Sequence, residues 1–599
     1  MQIPDNVTGK LGKVIGLLTL ISGIILLVLP LIIPKTGFEP IRGITIGLGF
    51  VVGGIGCMLV LGTLERVSAH PRLLSVMINW GVAPLVFLLG VAYVFPFKID
   101  DSYISMRYAS NLAAGYGLVF NPGGPRIEGY TNLLLVLIEA ALLRVGVQDI
   151  WAVKLLNTGC GLAVVAAITW YAWRLLEADR VPLHPLPAIV ALLTASSSPF
   201  IIWTPSGMET TLFVFFVCVG IINYLLFLRG HLNRAKLLLI DLALVLATLT
   251  RPEGLLFWAV TTSHTLIIGS IHNKKLLSRA RVIGILSGFV LLALYGLWKV
   301  VYFGQLLPAT YLAKQAPLHF GTFARGGVRL LGFLAINGNY FIVLVIIAGL
   351  ILAMLRRIEL KSPIWYVAGL CSAYLVYVLS LGFHISMDDA YRFYVPLIPL
   401  MSLLLFEIAF TFHADIEHIQ PVWMAGCLLT IVFLVPLRFN DLGHAWAIDL
   451  NWGVLPYRIA ARDVASGLDQ GHIALGRWLR EHASPDATIV LYDAGAIPYF
   501  SGLRTIDTWS LTDPQLLELN RALALARSEA EREVIRGKMR SYILSQSPEY
   551  IVQDNLSLLD DPVVRTRYRP VGRKFIYLNW YMCGQQQGCS YILEPWQRR

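Results

Sequence analysis

Over roughly the first 440 positions, mostly apolar runs alternate with short polar breaks. A membrane-crossing helix needs about 20 such residues. Candidate spans fall at 11–33, 41–62, 76–97, 153–175, 186–203, 209–229, 236–250, 253–271, 281–303, 339–356, 363–383, 393–413 and 421–438. The pattern therefore predicts a mainly α, polytopic membrane protein of about thirteen transmembrane helices, several of them short. Segment 129–146 is apolar but short and carries Glu139 and Arg144, so it reads as a helix lying at the interface.

Basic loops set the orientation. Lys10 and Lys13, Arg66 and Arg72, Arg174 and Arg180, Arg229 to Lys236, Lys274 to Arg281, and Arg356 to Lys361 all fall on one side when 129–146 does not cross. That side is the cytoplasm, and the N-terminus lies there. Loop 98–152, the turns at Pro205–Glu209, Arg251–Gly254 and His384–Arg392, loop 304–338 and everything after about 440 then face outward.

The tail changes character. Ile489 to Asp493 reads as a buried strand and Gly495 to Pro498 as a turn. Residues 515–545 keep helical spacing, and Glu549 to Gln553 reads as another strand. These predict an extracytoplasmic α/β domain over 441–599, a normal domain size.

Composition agrees with the pattern. The 599 residues are 56% hydrophobic and only 14% charged, against roughly 25% charged in soluble proteins. Mean hydropathy is +0.66. The net charge of +11 lies in inter-helix loops and implies no nucleic acid. Helix 11–33 has no small-residue cleavage site behind it and reads as an anchor rather than a removed leader. Cys57, Cys160, Cys218, Cys371 and Cys427 sit in apolar helices as packing residues. Cys583 and Cys589, close together in the polar tail, read as a disulfide if the tail faces an oxidising compartment; two free thiols are the alternative.

Candidate chemistry clusters on the outward side. Asp100 and Asp101 precede a short helix in which Ile104, Tyr108 and Leu112 share one face, and Gly115 ends it. Carboxylates beside lipid are costly and mark function. One reading makes Asp101 or Ser102 a plain N-cap. The other makes an aspartate a general base or a ligand for a divalent cation (Mg2+ or Mn2+) shared with a phosphate. Arg107, Asn121 and Glu128 follow in the same loop. Glu209 opens a helix, and Arg251 and Glu253 flank Pro252 between two short helices. Tyr311 and Lys314 lie in loop 304–338, and Asp388, Asp389 and Arg392 open another helix. Arg251, Lys314 and Arg392 suit a donor phosphate. Arg107, Asn121, Glu128, Glu209, Glu253, Tyr311, Asp388 and Asp389 suit sugar or acceptor hydroxyls. A structural ion pair, a helix-end charge or a snorkelling lysine is the plain alternative at each. Tyr499, Trp509 and Trp580 offer stacking surfaces for a glycan, or core. There is no phosphate-cradling glycine loop, no serine-hydrolase elbow and no zinc-type Cys/His spacing, which disfavours those classes.

The order Asp100, Asp101, Arg107, Asn111, Gly117 to Pro122, and Glu128 to Thr131 resembles the C-type (GT-C) membrane glycosyltransferases. Among them it is most similar to the mycobacterial terminal β-(1→2)-arabinofuranosyltransferase family. Ser206 to Glu209, Arg251 to Glu253, Pro308 with Lys314, Arg392 with Pro396, and Ile506 to Pro514 follow in order. The resemblance covers nearly the whole chain. It implies a polyprenyl-phosphate sugar donor, a glycan acceptor at the outer face of a bacterial plasma membrane, and a catalytic aspartate at Asp100 or Asp101. It divides the chain into two additional N-terminal helices (1–70), a transmembrane catalytic module (71–440) and the tail. Those extra helices, and Tyr391 before Arg392 where arabinosyl members tend to have glycine, leave the sugar open. The rival classes are a transporter or flippase, which would show midplane charges and pseudo-repeats, and a non-catalytic sugar-lipid binder.

Overall fold

A computed structural model of the chain describes residues 71–147, 150–178, 186–233, 236–271, 274–314, 320–335, 338–381, 389–412, 444–448, 456–460, 466–552, 556–577 and 591–599. The expected spans 11–33, 41–62 and 421–438, with Asp388, Trp580, Cys583 and Cys589, lie outside the described residues.

The expected spans inside that range coincide with helices. They are α1 (Pro71–Val94), then, after the first-loop helices α2 (Ser102–Ala113) and α3 (Leu133–Arg144), α4 (Ile150–Ala178), α5 (Leu186–Ala195), α6 (Ser198–Trp203), α7 (Thr210–Leu228), α8 (Leu238–Thr250), α9 (Gly254–Ile271) and α10 (Arg279–Phe303). Next come α11 (Ala309–Lys314), α12 (Phe320–Ala335), α13 (Asn339–Leu355), α14 (Pro363–Ser380) and α15 (Leu397–Thr411). Seven of the described helices are individually long and apolar enough to cross a membrane.

Two expectations change. Span 186–203 breaks into α5 and α6, because Ser197 is extended and Pro199 restarts a helix at its first turn. Segment 304–338 is not simply a loop, since it holds α11 and α12.

Helices α1, α4, α5, α7, α8, α14 and α15 enclose one apolar core. By contrast α10 presents Leu286, Phe289, Val290, Leu294, Leu297 and Val301 outward. That face suits lipid tails, which solvate it as well as protein would. At the ends of α7 and α8 remote from Glu209 and Arg251, two buried ion pairs pin the bundle: Arg229 with Glu407, and Asp241 with Arg281.

The tail builds a five-stranded sheet in the order β4-β3-β5-β9-β6. A two-stranded ribbon of β1 (His444–Ile448) and β2 (Pro456–Ala460) precedes it. The sheet strands are β3 (Thr488–Leu491), β4 (Arg504–Asp507), β5 (Tyr550–Ile551), β6 (Tyr568–Pro570) and β9 (Trp596–Arg598). A separate ribbon pairs β7 (Phe575–Tyr577) with β8 (Tyr591–Leu593). Strand β3 runs parallel to β4 and β5, and β9 antiparallel to β5 and β6. Tail helices are α16 (Ala474–His482), α17 (Ala496–Ser501), α18 (Pro514–Leu525), α19 (Glu529–Ser545) and α20 (Pro562–Arg567). Segment 495–498, expected as a turn, instead holds the N-cap Gly495 and the first residues of α17.

Side chains alternate across a strand, and β3 uses both faces. Val490 packs with Leu516, Ile535, Met539 and Ile543 of α18 and α19. Ile489 and Leu491 join a core that also contains Ile104 and Tyr108 of α2, Phe120, and Leu133 and Val136 of α3. The first loop thus supplies half the cover of the tail's sheet. A central parallel strand buried on both faces requires such cover.

Candidate active site

Helix α2 starts immediately after Asp101. Neither N-cap expectation is met: Asp101 is exposed and makes no side-chain bond to the helix. Ser102 Oγ instead donates back to the carbonyl of Ile99 at 2.7 Å. Asp100 points the other way, into the tail. Its Oδ2 accepts from the N–H of Gly495 at 2.9 Å and its Oδ1 from that of Ala496 at 2.7 Å.

Behind these amides His472 Nε2 meets Asp493 Oδ2 at 2.8 Å. His472 is 3% exposed and sits in a π-helical turn, Asp469–Ile473, that runs into α16. Such turns re-aim side chains and recur at functional sites. Burial lifts the Asp100 carboxyl to about 6; His472 opposes the shift, and Asp493 and Asp101 add to it. Burial works against charge on His472 too, but the Asp493 carboxylate, and next Asp100, hold its imidazole above its ordinary value.

Other first-loop residues lock the same junction. Arg107, 4% exposed, donates to the carbonyls of Phe120 at 2.8 Å and Leu503 at 2.7 Å, and to that of Pro498. It also donates to Asn121 Oδ1 at 3.2 Å. Asn121 pairs with both backbone groups of Thr505 on β4, at 2.8 and 3.0 Å. Lys98 bonds Asp469 at 2.6 Å. Arg107 and Asn121, expected to face sugar, are thus committed to holding the first loop on the tail.

The second half of the site lies at the helix ends. Pro252 moves Arg251 out of the helical region (φ −153°, ψ 138°). Gly254 then lets α9 turn back tightly, because a Cβ there would overlap the backbone of Ala247 and Thr248. The turn buries Arg251 and Glu253 side by side, 2.7 Å apart. Glu209, 1% exposed, meets Arg251 at 3.2 Å and Arg392 at 2.6 Å. Arg392 also donates to Thr210 Oγ1 at 3.3 Å and lies over the Trp203 ring. Burial would raise the Glu209 carboxyl, but Arg392 and Arg251 together hold it below its ordinary value. Two carboxylates and two guanidiniums thus balance in one buried cluster.

A hydrogen-bond chain runs from α2 to this cluster. Ser105 Oγ, one turn into α2, bonds Asn132 Oδ1 at 3.0 Å, and Asn132 Nδ2 donates to Glu209 Oε2 at 2.9 Å. Asn132 occupies the N-cap of α3 without capping it.

The remaining candidates are more dispersed. Glu128 is buried against Lys299 at 2.8 Å, and burial lifts it to about 7 against that lysine's pull. Tyr311 is 44% exposed. Lys314 closes α11 and Asp389 opens the turn before Arg392; both are described by backbone alone. The Tyr499 ring packs tilted against Tyr103 at 5.5 Å and that of Trp509 against Tyr492 at 4.9 Å; both are half-buried. Among the described residues no three His, Cys, Asp or Glu side chains converge as ligands for a metal ion.

His472, Asp493 and Gly495 escaped the sequence reading. They lie far along the chain from Asp100, 395 residues in the case of Gly495, and no local spacing links them.

Comparisons with known proteins fit this architecture. A family described as a domain of unknown function (DUF8728) matches residues 461–591. A terminal β-(1→2)-arabinofuranosyltransferase of Mycobacterium tuberculosis is 27% identical over 230 residues. That match spans 36% of this chain and 35% of the relative, about a third of each. Crystal structures of ArnT from Cupriavidus metallidurans superpose over most of both chains. The apo state has a TM-score of 0.52 and 11% identity, covering 86% of this chain and 97% of ArnT. The form bound to undecaprenyl phosphate has a TM-score of 0.50 and 11% identity, covering 87% and 97%. Over most of its length the chain shares the fold of these ArnT structures.

Proposed function

We propose that this protein moves a sugar from a polyprenyl-phosphate donor to a hydroxyl of a cell-envelope glycan, on the outer face of a bacterial plasma membrane. The observation that carries the reading is the hydrogen-bonded path from Ser105, on the helix that follows Asp100, through Asn132 to Glu209, which pairs with Arg251 and Arg392. It ties the helix behind a positioned carboxylate to cations at helix ends where a lipid phosphate would lie. The positive-inside loops support the outward placement of this face.

The acceptor oxygen attacks the anomeric carbon. A new C–O bond forms as the bond from that carbon to the phosphate oxygen breaks, and the phosphate leaves with the electron pair. Asp100 takes the acceptor's proton; a positioned base is typically worth 10²–10⁴-fold. Arg392 and Arg251 receive the charge developing on the phosphate. Asp100 is assigned as base over Asp101 because two amides orient it and burial lifts it toward neutrality, whereas Asp101 is exposed. The mycobacterial relative favours arabinofuranose as the sugar.

Binding of undecaprenyl phosphate to the protein in nanodiscs tests the donor half. Saturable binding that weakens at least tenfold in Arg392→Gln supports the reading. Equal binding by both proteins, or none by wild type, contradicts it.

A further inference from the structure

We infer that the tail domain forms part of the reaction centre, with His472, Asp493 and the amides of Gly495 and Ala496 acting as positioning residues for the Asp100 carboxylate. This rests on the reading of Asp100 as the base and deepens it.

Three observations converge. First, both oxygens of Asp100 are held by tail amides. Two N–H groups fix both the rotation of the carboxylate and the lone pairs that remain available. Second, the approach is close enough to dictate the residue. A Cβ on Gly495 would overlap the Asp100 carbonyl and carboxylate oxygens, so a side chain at 495 cannot coexist with this placement. Third, His472 and Asp493 come from segments on either side of α16 and β3, and they pair beside the same carboxylate. His472 is buried, and Asp493 directly precedes the loop carrying the two amides.

The surrounding contacts are arranged to keep this geometry. Arg107, Asn121 and Lys98 bind the first loop to the tail at separate points. The shared core of Ile104, Tyr108, Ile489, Leu491 and Ile497 fills the space between them. Asp101, one residue along, has no such partners and faces solvent. The consequence is a division of labour. The membrane bundle supplies the cations and the tail supplies the orientation of the base, so the tail does more than present acceptor. Because a 1 Å misplacement of a reacting group can cost about 10²-fold in rate, loss of this hold affects turnover before it affects donor binding.

Two measurements on the full-length protein in nanodiscs decide the matter. Hydrogen exchange at the amides of 495 and 496 needs no substrate. Exchange at least tenfold faster in Asp100→Ala than in wild type, but unchanged in Asp101→Ala, supports the hold; unchanged exchange in Asp100→Ala overturns it, whatever the donor proves to be. Kinetics with a polyprenyl-phosphate sugar and an oligosaccharide then test its role. His472→Ala, Asp493→Ala and Gly495→Ala are expected to lower kcat by ten- to a hundredfold with the donor KM unchanged. His472→Gln and Asp493→Asn are expected to recover part of that loss. Wild-type kcat in all three alanine variants, or equal damage from alanine and its conservative replacement at both 472 and 493, overturns the positioning role. Absence of transfer by wild type counts against the proposed function, and the exchange result still judges the hold.

Discussion

Asn132 donates its amide N–H to the Glu209 carboxylate at 2.9 Å. Through that bond the first loop reaches the buried cations at the ends of the transmembrane helices. Asn132→Ala leaves one oxygen of a buried carboxylate without a donor, which costs roughly 1–3 kcal/mol. The expected outcome is a lower melting temperature and a kcat/KM at least several-fold down. Asn132→Asp should do worse, because it adds a like charge beside Glu209. A wild-type melt and rate in both variants would remove the bond from the account.

Glu209 balances Arg251 and Arg392. In Glu209→Gln the cluster keeps one carboxylate, Glu253, against two guanidiniums. Breaking a buried pair costs about 3–5 kcal/mol, so the protein should melt earlier. The surplus cation should nonetheless bind undecaprenyl phosphate more tightly, because the lipid no longer competes with Glu209. Calorimetric or thermophoretic titration checks the sign. Weaker binding in this variant would mean that Glu209 helps to hold the lipid and does not rival it.

The transmembrane pattern was legible because hydropathy is local. Each expected span within the described residues coincides with a helix or helix pair, and the strands at 488–491 and 550–551 overlap the runs read as strands. The aspartate pair and the cation cluster were legible as residue types because charges beside apolar helices are costly. What the sequence hid was pairing. Arg107 and Asn121 look like ligands for sugar in one dimension, yet in three they bind the tail. His472 lies in an ordinary-looking amphipathic stretch, and only tertiary packing brings it to Asp100. Gly495 read as a turn residue; its requirement comes from the approach of a carboxylate distant in sequence.

The pH dependence of stability and activity should run in opposite directions. Asp100 is lifted from 3.8 to about 6, chiefly by burial. The folded state therefore holds a proton that the unfolded chain releases. The resulting stability is fully present below about pH 4 and is lost as pH rises through about 6. Catalysis needs the ionised carboxylate, so kcat/KM should climb through about pH 6. Asp100→Asn should flatten that component of the melting profile. A kcat/KM flat between pH 5 and 7 would argue against Asp100 as base; His472, Asp493 and Asp101 face it and set where the step falls.

Gly129 marks how tightly the first loop sits on the tail. A Cβ there would lie 2.7 Å from Tyr108 Oη and 2.9 Å from the Leu511 carbonyl. The second neighbour is backbone and cannot swing aside. Gly129→Ala should cost about 1–3 kcal/mol, read as a lower melting temperature. Gly81→Ala, with nothing within 4 Å of its Cβ in the middle of α1, is the matched control and should be neutral or slightly stabilising. Equal melts for the two variants would mean that the loop and tail do not meet as described.

The most direct test is sugar transfer by the purified protein, given radiolabelled polyprenyl-phosphate arabinose and an arabinan oligosaccharide. Wild type, Asp100→Asn and Asp101→Asn are compared. The account predicts transfer by wild type, a loss of about 10²–10⁴-fold in Asp100→Asn with undecaprenyl phosphate still bound, and a smaller loss in Asp101→Asn. Collapse in Asp101→Asn with Asp100→Asn active would contradict the assignment of the base. Donor bound by all three, but never transferred to this or any other glycan acceptor, would contradict the enzyme itself.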